Sequence, residues 1–252
     1  MFDLKNNIGA KSFSFRSIKD NTECAEAVLA TGSRSVDLSG CHVNYDAPET
    51  WAEVIKIYKD RGLSIPGIGV ALVKPDEAWN RRFFEFNKQA GGKLVSITFI
   101  PDDMEKTISS VEKLCEEYDM VTGIHNHGGY HWLGNTTMLD YVFARSNKSI
   151  GLCFDTAWCM HTHLEKPTEW MERYAERIYG VHFKDFLWKP NGDHTDTAVG
   201  EGSLDLAEVL EKFSSLEHVC SAVIEYEGAD PIEQTKKSID NIKKLLEQNT
   251  KY

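Results

Sequence analysis

The stretch Ile150-Gly151-Leu152-Cys153-Phe154-Asp155-Thr156 is a short apolar run that ends in a carboxylate. Its length and its lack of internal charge predict a buried strand of a parallel sheet. The chain continues into Pro167–Arg177, where a proline at or near the first helical position is a common helix start signal. A second apolar run, Tyr179–Lys184, follows, so this part of the chain predicts a strand, a helix and another strand in that order.

The same alternation of apolar runs and amphipathic segments continues in both directions along the chain. The predicted strands are Ser12–Phe15, Ser35–Leu38, Ser64–Val70, Leu94–Phe99, Val121–His127, Ile150–Asp155, Tyr179–Lys184 and Val219–Glu227. The predicted helices are Pro48–Arg61, Pro75–Ala90, Met104–Tyr118, Pro167–Arg177, Leu204–Phe213 and Pro231–Leu246. Eight strands with intervening helices in a chain of 252 residues predict a (β/α)₈ TIM barrel, with residues 1–252 as a single domain.

An open doubly wound α/β sheet would also alternate strands and helices. Such a sheet usually carries a glycine-rich phosphate-binding turn after its first strand. The chain has Phe15-Arg16-Ser17-Ile18 at this place, which is not a turn of that kind. The barrel is therefore the favoured architecture.

Composition and charge narrow the class of protein. The chain has 28 basic and 39 acidic residues, and its formal charge of −11 argues against binding to nucleic acid phosphates. No run of about 18 apolar residues is present, and Met1–Asn7 lacks the apolar core of a secretory signal. The six cysteines form no C-x-x-C pair, which is typical of free thiols in a reducing compartment. We therefore expect a cytoplasmic protein with no membrane partner.

Metal-competent side chains follow four successive late strands. They are His125, Asp155, His182 and Glu225, and they are separated by roughly 30–40 residues, about one β/α unit each. Because the carboxyl ends of barrel strands share one face, we expect these four side chains to converge. Two imidazoles and two carboxylates suit Mn²⁺, Co²⁺, Zn²⁺ or Fe²⁺ better than Mg²⁺ or Ca²⁺. Taken singly, each residue has an ordinary interpretation, such as helix capping by Asp155.

Aromatic residues and further histidines fall in loops at the same end of the predicted barrel. Trp132, Trp158 and Trp188 are candidates to cover a sugar ring, with ordinary packing as the alternative. His161 and His163 form an H-x-H pair in the loop after the sixth strand. We interpret this pair as loop residues rather than as metal ligands.

At these positions the sequence resembles the xylose isomerase-like sugar phosphate isomerase/epimerase family of TIM barrels. Residues Gly123–Gly129 are similar to the family's E-N-H segment, Gly151–Thr156 to its G-x-x-x-D-T strand and Ile178–Asp185 to its V-H-x-K-D strand. Gly200–Asp205 matches its G-x-G-x-x-D turn, and Ile224–Glu227 matches its final glutamate strand. The resemblance runs over most of the chain and is more specific for the superfamily than for one reaction.

The resemblance implies a metal held by two glutamates, an aspartate and a histidine. Asp155, His182 and Glu225 fill three of these places, whereas His125 stands where the family has a glutamate. In ketose 3-epimerases of this kind the two ligating glutamates relay a proton across the substrate. A histidine that ligates through one nitrogen and is oriented through the other is a poor base. We therefore expect Glu225 to be a ligand and a base, and His127 to supply a second acid/base.

Lys184 completes the predicted catalytic group. The side chain can anchor a substrate oxygen, and the alternative is a barrel-lining lysine paired with a carboxylate. Both interpretations stay open at the level of the sequence.

The resemblance favours a metal-dependent isomerase or epimerase that acts on a sugar or keto-sugar through an enediolate, with Mn²⁺ as the preferred ion. The close second is a lyase or dehydratase that eliminates water or an aglycone from a keto-sugar or a 3-keto-glycoside. Elimination needs only one base and a leaving-group acid, which is easier to reconcile with His125. Similar enzymes that cleave C-glycosides work with a small second subunit.

Two further functions receive less support. One is an inactive barrel that serves as a binding subunit, and the other is an abasic-site endonuclease, which the charge of −11 disfavours. The expected partner is a small carbohydrate without a phosphate group, because no phosphate-binding motif is recognised. The aromatic loop Trp158–His163 also leaves room for a homo-oligomer in which it covers a neighbour's active site.

Overall fold

The centre of the fold is a parallel β-barrel. In the computed structural model, the residues described are 2–128, 131–163 and 165–248. Within these ranges eight parallel strands form one sheet in the spatial order β2-β1-β10-β7-β6-β5-β4-β3. They are β1 (Gly9–Lys11), β2 (Val36–Asp37), β3 (Gly67–Leu72), β4 (Leu94–Thr98), β5 (Val121–His125), β6 (Ile150–Asp155), β7 (Ile178–Phe183) and β10 (Ser221–Ile224). Bridges from Ser35 to Ser64 and from Leu38 to Ile68 bring the two ends of the sheet together into a nearly closed barrel.

Helices surround the barrel, and a small hairpin projects from its mouth. The helices are α1 (Leu4–Asn7), α2 (Asn21–Ala30), α3 (Trp51–Asp60), α4 (Glu77–Ala90), α5 (Met104–Tyr118), α6 (Thr136–Phe143), α7 (Thr156–Met160), α8 (Pro167–Arg173), α9 (Leu206–Phe213) and α10 (Pro231–Gln248). The antiparallel hairpin pairs β8 (Asp185–Trp188) with β9 (His194–Thr197). The (β/α)₈ barrel predicted from the sequence is confirmed.

Helical periodicity determines which side chains cover the barrel. In α5, Ile108, Val111 and Leu114 recur at three-residue spacing, and all three are buried. Asp76, the residue before α4, accepts hydrogen bonds from Ala78 N and Trp79 N, which satisfies amides at the start of that helix. These patterns are local, so the sequence predicts these two helices well.

The first predicted strand, Ser12–Phe15, is wrong. This segment is a 3₁₀ turn that follows β1 and crosses the barrel mouth. Ser12 Oγ accepts a hydrogen bond from Ser39 N at 2.8 Å, and Ser14 Oγ accepts one from Tyr226 N at 2.9 Å. The alternation of serine and phenylalanine therefore reflects side chains that bind neighbouring strand ends rather than the two faces of a strand.

The helices carry no membrane-spanning segment in the part of the chain that the structure covers: none there is both long and apolar enough to cross a bilayer.

Candidate metal centre

The four predicted ligands lie together at the carboxyl ends of adjacent strands. His125 ends β5, Asp155 ends β6, His182 lies in β7 and Glu225 directly follows β10. Their ligand atoms all lie within 4.8 Å of one another. His125 Nε2 is 2.9 Å from His182 Nδ1 and 3.7 Å from Asp155 Oδ2. Glu225 Oε2 is 2.7 Å from His182 Nδ1 and 3.9 Å from His125 Nε2.

The donor set fits a divalent cation. A first-row ion has bonds of about 2.0–2.2 Å to nitrogen and oxygen, so its ligands lie roughly 3–4.4 Å apart, close to the separations seen here. Asp155 Oδ2 is buried and has no hydrogen-bond partner among the described residues, and the buried Glu225 Oε2 faces His182 Nδ1 at 2.7 Å. A buried carboxylate oxygen without a partner is costly, and a cation shared with Glu225 Oε2 would satisfy it.

Side-chain amides and hydroxyls hold these strand ends in register. Asn126 Oδ1 accepts a hydrogen bond from Asp155 N at 2.8 Å, and Asn126 Nδ2 donates to Asp155 O at 3.0 Å. Thr156 Oγ1 accepts from Lys184 N at 2.9 Å and donates to Lys184 O at 2.6 Å. Each side chain thus joins two adjacent strands by hydrogen bonds just beyond the end of the regular backbone pairing. They therefore position Asp155 between the two histidines, a role that the sequence analysis did not assign to them.

Asp185 has a structural role just after β7, the strand that contains His182. Its carboxylate accepts backbone hydrogen bonds at 2.9–3.0 Å. The donors are Phe186, Gly200, Gly202, Ser203 and Leu204. A Cβ at Gly202 would lie 2.3 Å from Asp185 Oδ1, so only glycine allows this close approach. The G-x-G-x-x-D motif is thus a loop wrapped around a buried carboxylate.

A cavity of about 460 Å³ opens beside the cluster, within the size range of small-molecule sites. His125 and Glu225 line it together with the predicted residues His127 and Trp158. The remaining lining residues come from the first strands and from the chain after β10: Lys11, Phe13, Ser39, Gly40, Cys41, Val70 and Glu227. Lys11 and Glu227 are charged residues of this wall that the sequence analysis missed.

The other predicted site residues lie around the cavity rather than in its lining. Lys184 Nζ contacts Glu227 Oε1 at 2.6 Å and Asp196 Oδ2 at 3.0 Å. Lys184 therefore fixes the position of Glu227, which does line the cavity. Trp132 donates from Nε1 to Phe99 O at 2.7 Å. Trp188 packs against His163, with ring centroids 4.8 Å apart. Contact of these three residues with substrate stays a prediction.

The H-x-H pair lies outside the cluster of four ligands. The rings of His161 and His163 are stacked with centroids 6.1 Å apart, and the ring of His161 also packs against Trp158. Gly129, in the predicted fifth-strand motif, and Leu164, in the following loop, fall outside the described residues.

Burial and charge set the protonation of the ligands. Burial raises the pKa of Asp155 to about 7. Burial opposes the charged form of His182, but Cys153 and Glu225 outweigh it and raise the pKa of His182 to about 10. Burial also lowers the pKa of His125 well below its usual value. Near neutral pH the metal-free cluster therefore holds a proton on His182 and a partly occupied one on Asp155.

Metal binding is therefore expected to release protons. Ligands must be deprotonated to bind, so lowering the pH below 7 adds a second proton that the ion must displace. We expect about one to two protons released per ion near pH 7, and an affinity that falls by about tenfold or more per pH unit toward acid. Calorimetric titration with Mn²⁺ in buffers of different ionisation enthalpy measures this number. Binding without proton release would contradict the assigned ligands.

Comparison with known proteins supports the architecture over nearly the whole chain. A Mycobacterium smegmatis structure described as a xylose isomerase-like TIM barrel protein in complex with magnesium superposes with a TM-score of 0.79 at 13% identity, covering 98% of this chain and 99% of that one. A D-tagatose 3-epimerase-like protein gives 0.75 at 17% identity, covering 96% and 97%. A probable 3-DHS dehydratase from Bacillus anthracis gives 0.73 at 14% identity, covering 97% and 99%.

At the level of sequence, no curated protein matches the chain. The profile of the family described as xylose isomerase-like TIM barrel matches residues 24–245, which is most of the chain. That match covers the barrel from α2 to α10, including the four strand ends that carry His125, Asp155, His182 and Glu225. The chain belongs to the xylose isomerase-like TIM barrel family.

Proposed function

We propose that the protein is a divalent-metal-dependent isomerase or epimerase that enolises a sugar or keto-sugar. The proposal depends mainly on one observation: four ligand side chains converge beside a cavity that is also lined by two acid/base groups, His127 and Glu227. The D-tagatose 3-epimerase-like protein and an L-ribulose 3-epimerase among the similar structures are consistent with this chemistry.

His125, Asp155, His182 and Glu225 would hold the ion, and Mn²⁺ is our preferred metal. When bound, such an ion supplies Lewis-acid polarisation of a substrate carbonyl and its neighbouring hydroxyl. The four ligand side chains are themselves buried, which strengthens their electrostatic interactions.

His127 is placed to accept a proton. Its ring lies 4.5 Å from that of His125, and its Nδ1 is buried with no hydrogen-bond partner in the described ranges. Burial lowers the pKa of His127 to about 4, so the imidazole is neutral near pH 7. A neutral imidazole with a free nitrogen can remove a substrate proton.

Glu227 supplies a carboxylate from the other side of the cluster. It follows β10, whereas His127 follows β5, and strands β7 and β6 lie between them in the sheet. Lys184 holds Glu227 Oε1 at 2.6 Å and thereby fixes the orientation of its carboxylate. Two proton-transfer groups that flank a substrate are what an epimerase or isomerase needs, and this pair compensates for the glutamate that His125 replaces.

A lyase or dehydratase is the second candidate. Replacement of the usual ligating glutamate by His125 leaves fewer carboxylate bases, and elimination needs only one base with one leaving-group acid. The probable 3-DHS dehydratase among the similar structures shows that this fold also occurs in a protein described as a dehydratase. A homo-oligomer, a small second subunit and a cytoplasmic location remain predictions.

Incubation of the Mn²⁺-loaded protein with free ketoses, inososes and 3-keto-glycosides in deuterated water distinguishes the two candidates. We expect deuterium at the α-carbon with the carbon skeleton and hydroxyl count intact, measured by proton NMR. Loss of water or of an aglycone would support the lyase instead. Absence of both exchange and elimination from every compound would contradict the proposed chemistry.

Replacement of His127 by Gln is expected to slow deuterium incorporation by roughly 10²–10⁴-fold, the usual contribution of one positioned acid/base. Metal content should be unchanged, because His127 is not among the four ligands. His131→Gln is the matched control, since its ring packs 5.1 Å from that of His127 but does not line the cavity. Equal rates for the two variants would rule out the role assigned to His127.

A further inference from the structure

The cavity has a second polar wall, opposite in charge to the metal ligands. Lys11 ends β1 and is 1% exposed, and its Nζ donates to Gly69 O at 2.7 Å. Ser39, just after β2, lines the same cavity. Its Oγ is buried without a hydrogen-bond partner among the residues described.

Lys11 is a buried cation with no acidic partner. In the described ranges no carboxylate lies within 4 Å of Lys11 Nζ, whereas Lys184, a buried lysine behind the cavity lining, is paired with both Glu227 and Asp196. Asp37, the register partner of Lys11 on β2, instead accepts a hydrogen bond from Ser221 Oγ at 2.9 Å. A buried ammonium that meets only a carbonyl keeps two donors and a full charge to offer a ligand.

The surrounding segment adds positive charge to this side of the mouth. Arg16 Nη2 donates to Glu227 O, and Lys19 Nζ donates to Arg16 O, each at 2.7 Å. Like Lys11, both are bound to carbonyl oxygens rather than to carboxylates within the described part of this chain of charge −11. Lys11, Arg16 and Lys19 therefore keep their positive charges without an ion pair among the described residues.

We propose that Lys11 and Ser39 form a carboxylate-binding subsite, so that the substrate is an acidic sugar such as a keto-uronate. The ammonium and the hydroxyl offer two kinds of donor and one positive charge, which match the two oxygens and one charge of a carboxylate. A phosphate ester carries three acceptor oxygens and nearly two charges, more than this wall neutralises. The subsite rests on the proposed function: the substrate's carbonyl faces the metal ligands, and Lys11 and Ser39 bind the opposite end of the same substrate.

Matched ketoses test this subsite on the Mn²⁺-loaded protein. D-Fructuronate and D-tagaturonate differ from D-fructose and D-tagatose only in a terminal carboxylate, and their dissociation constants can be measured by calorimetry. Because a charge-assisted hydrogen bond to the carboxylate is replaced by a weaker one to a neutral hydroxyl, we expect each acid to bind about tenfold more tightly than its neutral counterpart.

Lys11→Met is expected to bring this ratio to within about twofold, because the variant loses the charge that distinguishes an acidic ketose from a neutral one. Lys148→Met is the matched control, since that exposed lysine pairs with Glu176 and lies outside the cavity lining. Ser39→Ala, which removes only one oxygen, should reduce the ratio by a smaller factor and covers the case in which Lys11→Met does not fold.

Three results would overturn the subsite. They are acidic ketoses that bind no more tightly than neutral ones, a ratio that neither substitution changes, and D-fructose 6-phosphate that binds more tightly than D-fructuronate through Lys11. Metal content is measured first in each sample. A wild-type protein that binds no metal would contradict the proposed function. In metal-loaded protein, a ratio of acidic to neutral ketose affinity that the substitutions leave unchanged contradicts only the carboxylate subsite.

Discussion

Asp155→Asn is expected to abolish stoichiometric metal binding while leaving the protein folded. Asp155 Oδ1 accepts a hydrogen bond from Trp158 N at 2.8 Å and so caps α7, and an asparagine oxygen can keep that bond. Oδ2, which lacks a hydrogen-bond partner and faces the histidines, is replaced by an amide that cannot ligate a cation. Since even residues behind the ligands change metal affinity by about 10–100-fold, we expect a loss of more than about 100-fold here.

Thermal denaturation with and without Mn²⁺ measures this effect independently of any substrate. An ion at about 100 times its dissociation constant stabilises the wild-type protein by about 2.7 kcal/mol, and the variant should gain almost nothing. The metal-free variant should be at least as stable as the metal-free wild type, because a buried carboxylate becomes neutral. Retention of one ion per chain in Asp155→Asn would remove Asp155 from the ligand set.

Asp185→Asn is expected to have the opposite result: a less stable protein that still binds the ion. Asp185 begins β8, and its carboxylate organises the loop that contains Gly200, Gly202 and Leu204. An asparagine keeps one acceptor oxygen but turns an amide donor toward backbone amides that are themselves donors. We expect a loss of about 2–4 kcal/mol in the free energy of unfolding, because hydrogen bonds to a charged group are the strong ones.

Chemical denaturation of metal-free protein measures this loss, and metal titration of the folded variant completes the comparison with Asp155→Asn. Asp119→Asn is a suitable control, because Asp119 is an exposed residue paired with Lys93, and an exposed ion pair contributes little to the free energy of unfolding. An Asp185→Asn protein as stable as wild type would show that the loop does not depend on this carboxylate.

The barrel could be predicted because its signals are local. Apolar runs of strand length mark β6 at Ile150–Asp155 and helical spacing marks α5 at Met104–Tyr118, and both agree with the structure at each end. Several short helices carried weaker signals, and the sequence did not predict α1, α2, α6 or α7. The β8–β9 hairpin was also missed, because β8 begins only two residues after β7 ends and gives no separate apolar run.

The convergence of the four candidate ligands could be predicted because strand ends in a barrel share one face. His125, Asp155, His182 and Glu225 needed only the spacing of the late strands to be grouped. No such rule identifies partners that are distant in sequence, so the link from Lys184 to Glu227 and Asp196 required coordinates.

Lys11 was missed for a definite reason. The first strand was predicted at Ser12–Phe15, whereas it is Gly9–Lys11, and this shift removed Lys11 from the strand end where functional side chains collect. The alternating serines and phenylalanines imitate a strand, but their hydrogen bonds to Ser39 and Tyr226 are contacts that the sequence pattern does not show. An error in a strand boundary therefore matters most at the barrel mouth, because it changes which residue is assigned to the strand end.

The most direct test of the account is the position of a bound ion. Crystals grown with Mn²⁺ and measured just above the manganese absorption edge would show it as an anomalous difference peak. We predict one strong peak within about 2.0–2.3 Å of His125 Nε2, Asp155 Oδ2, His182 Nδ1 and Glu225 Oε2. A peak elsewhere on the chain, or none between these four side chains, would contradict the proposed metal centre.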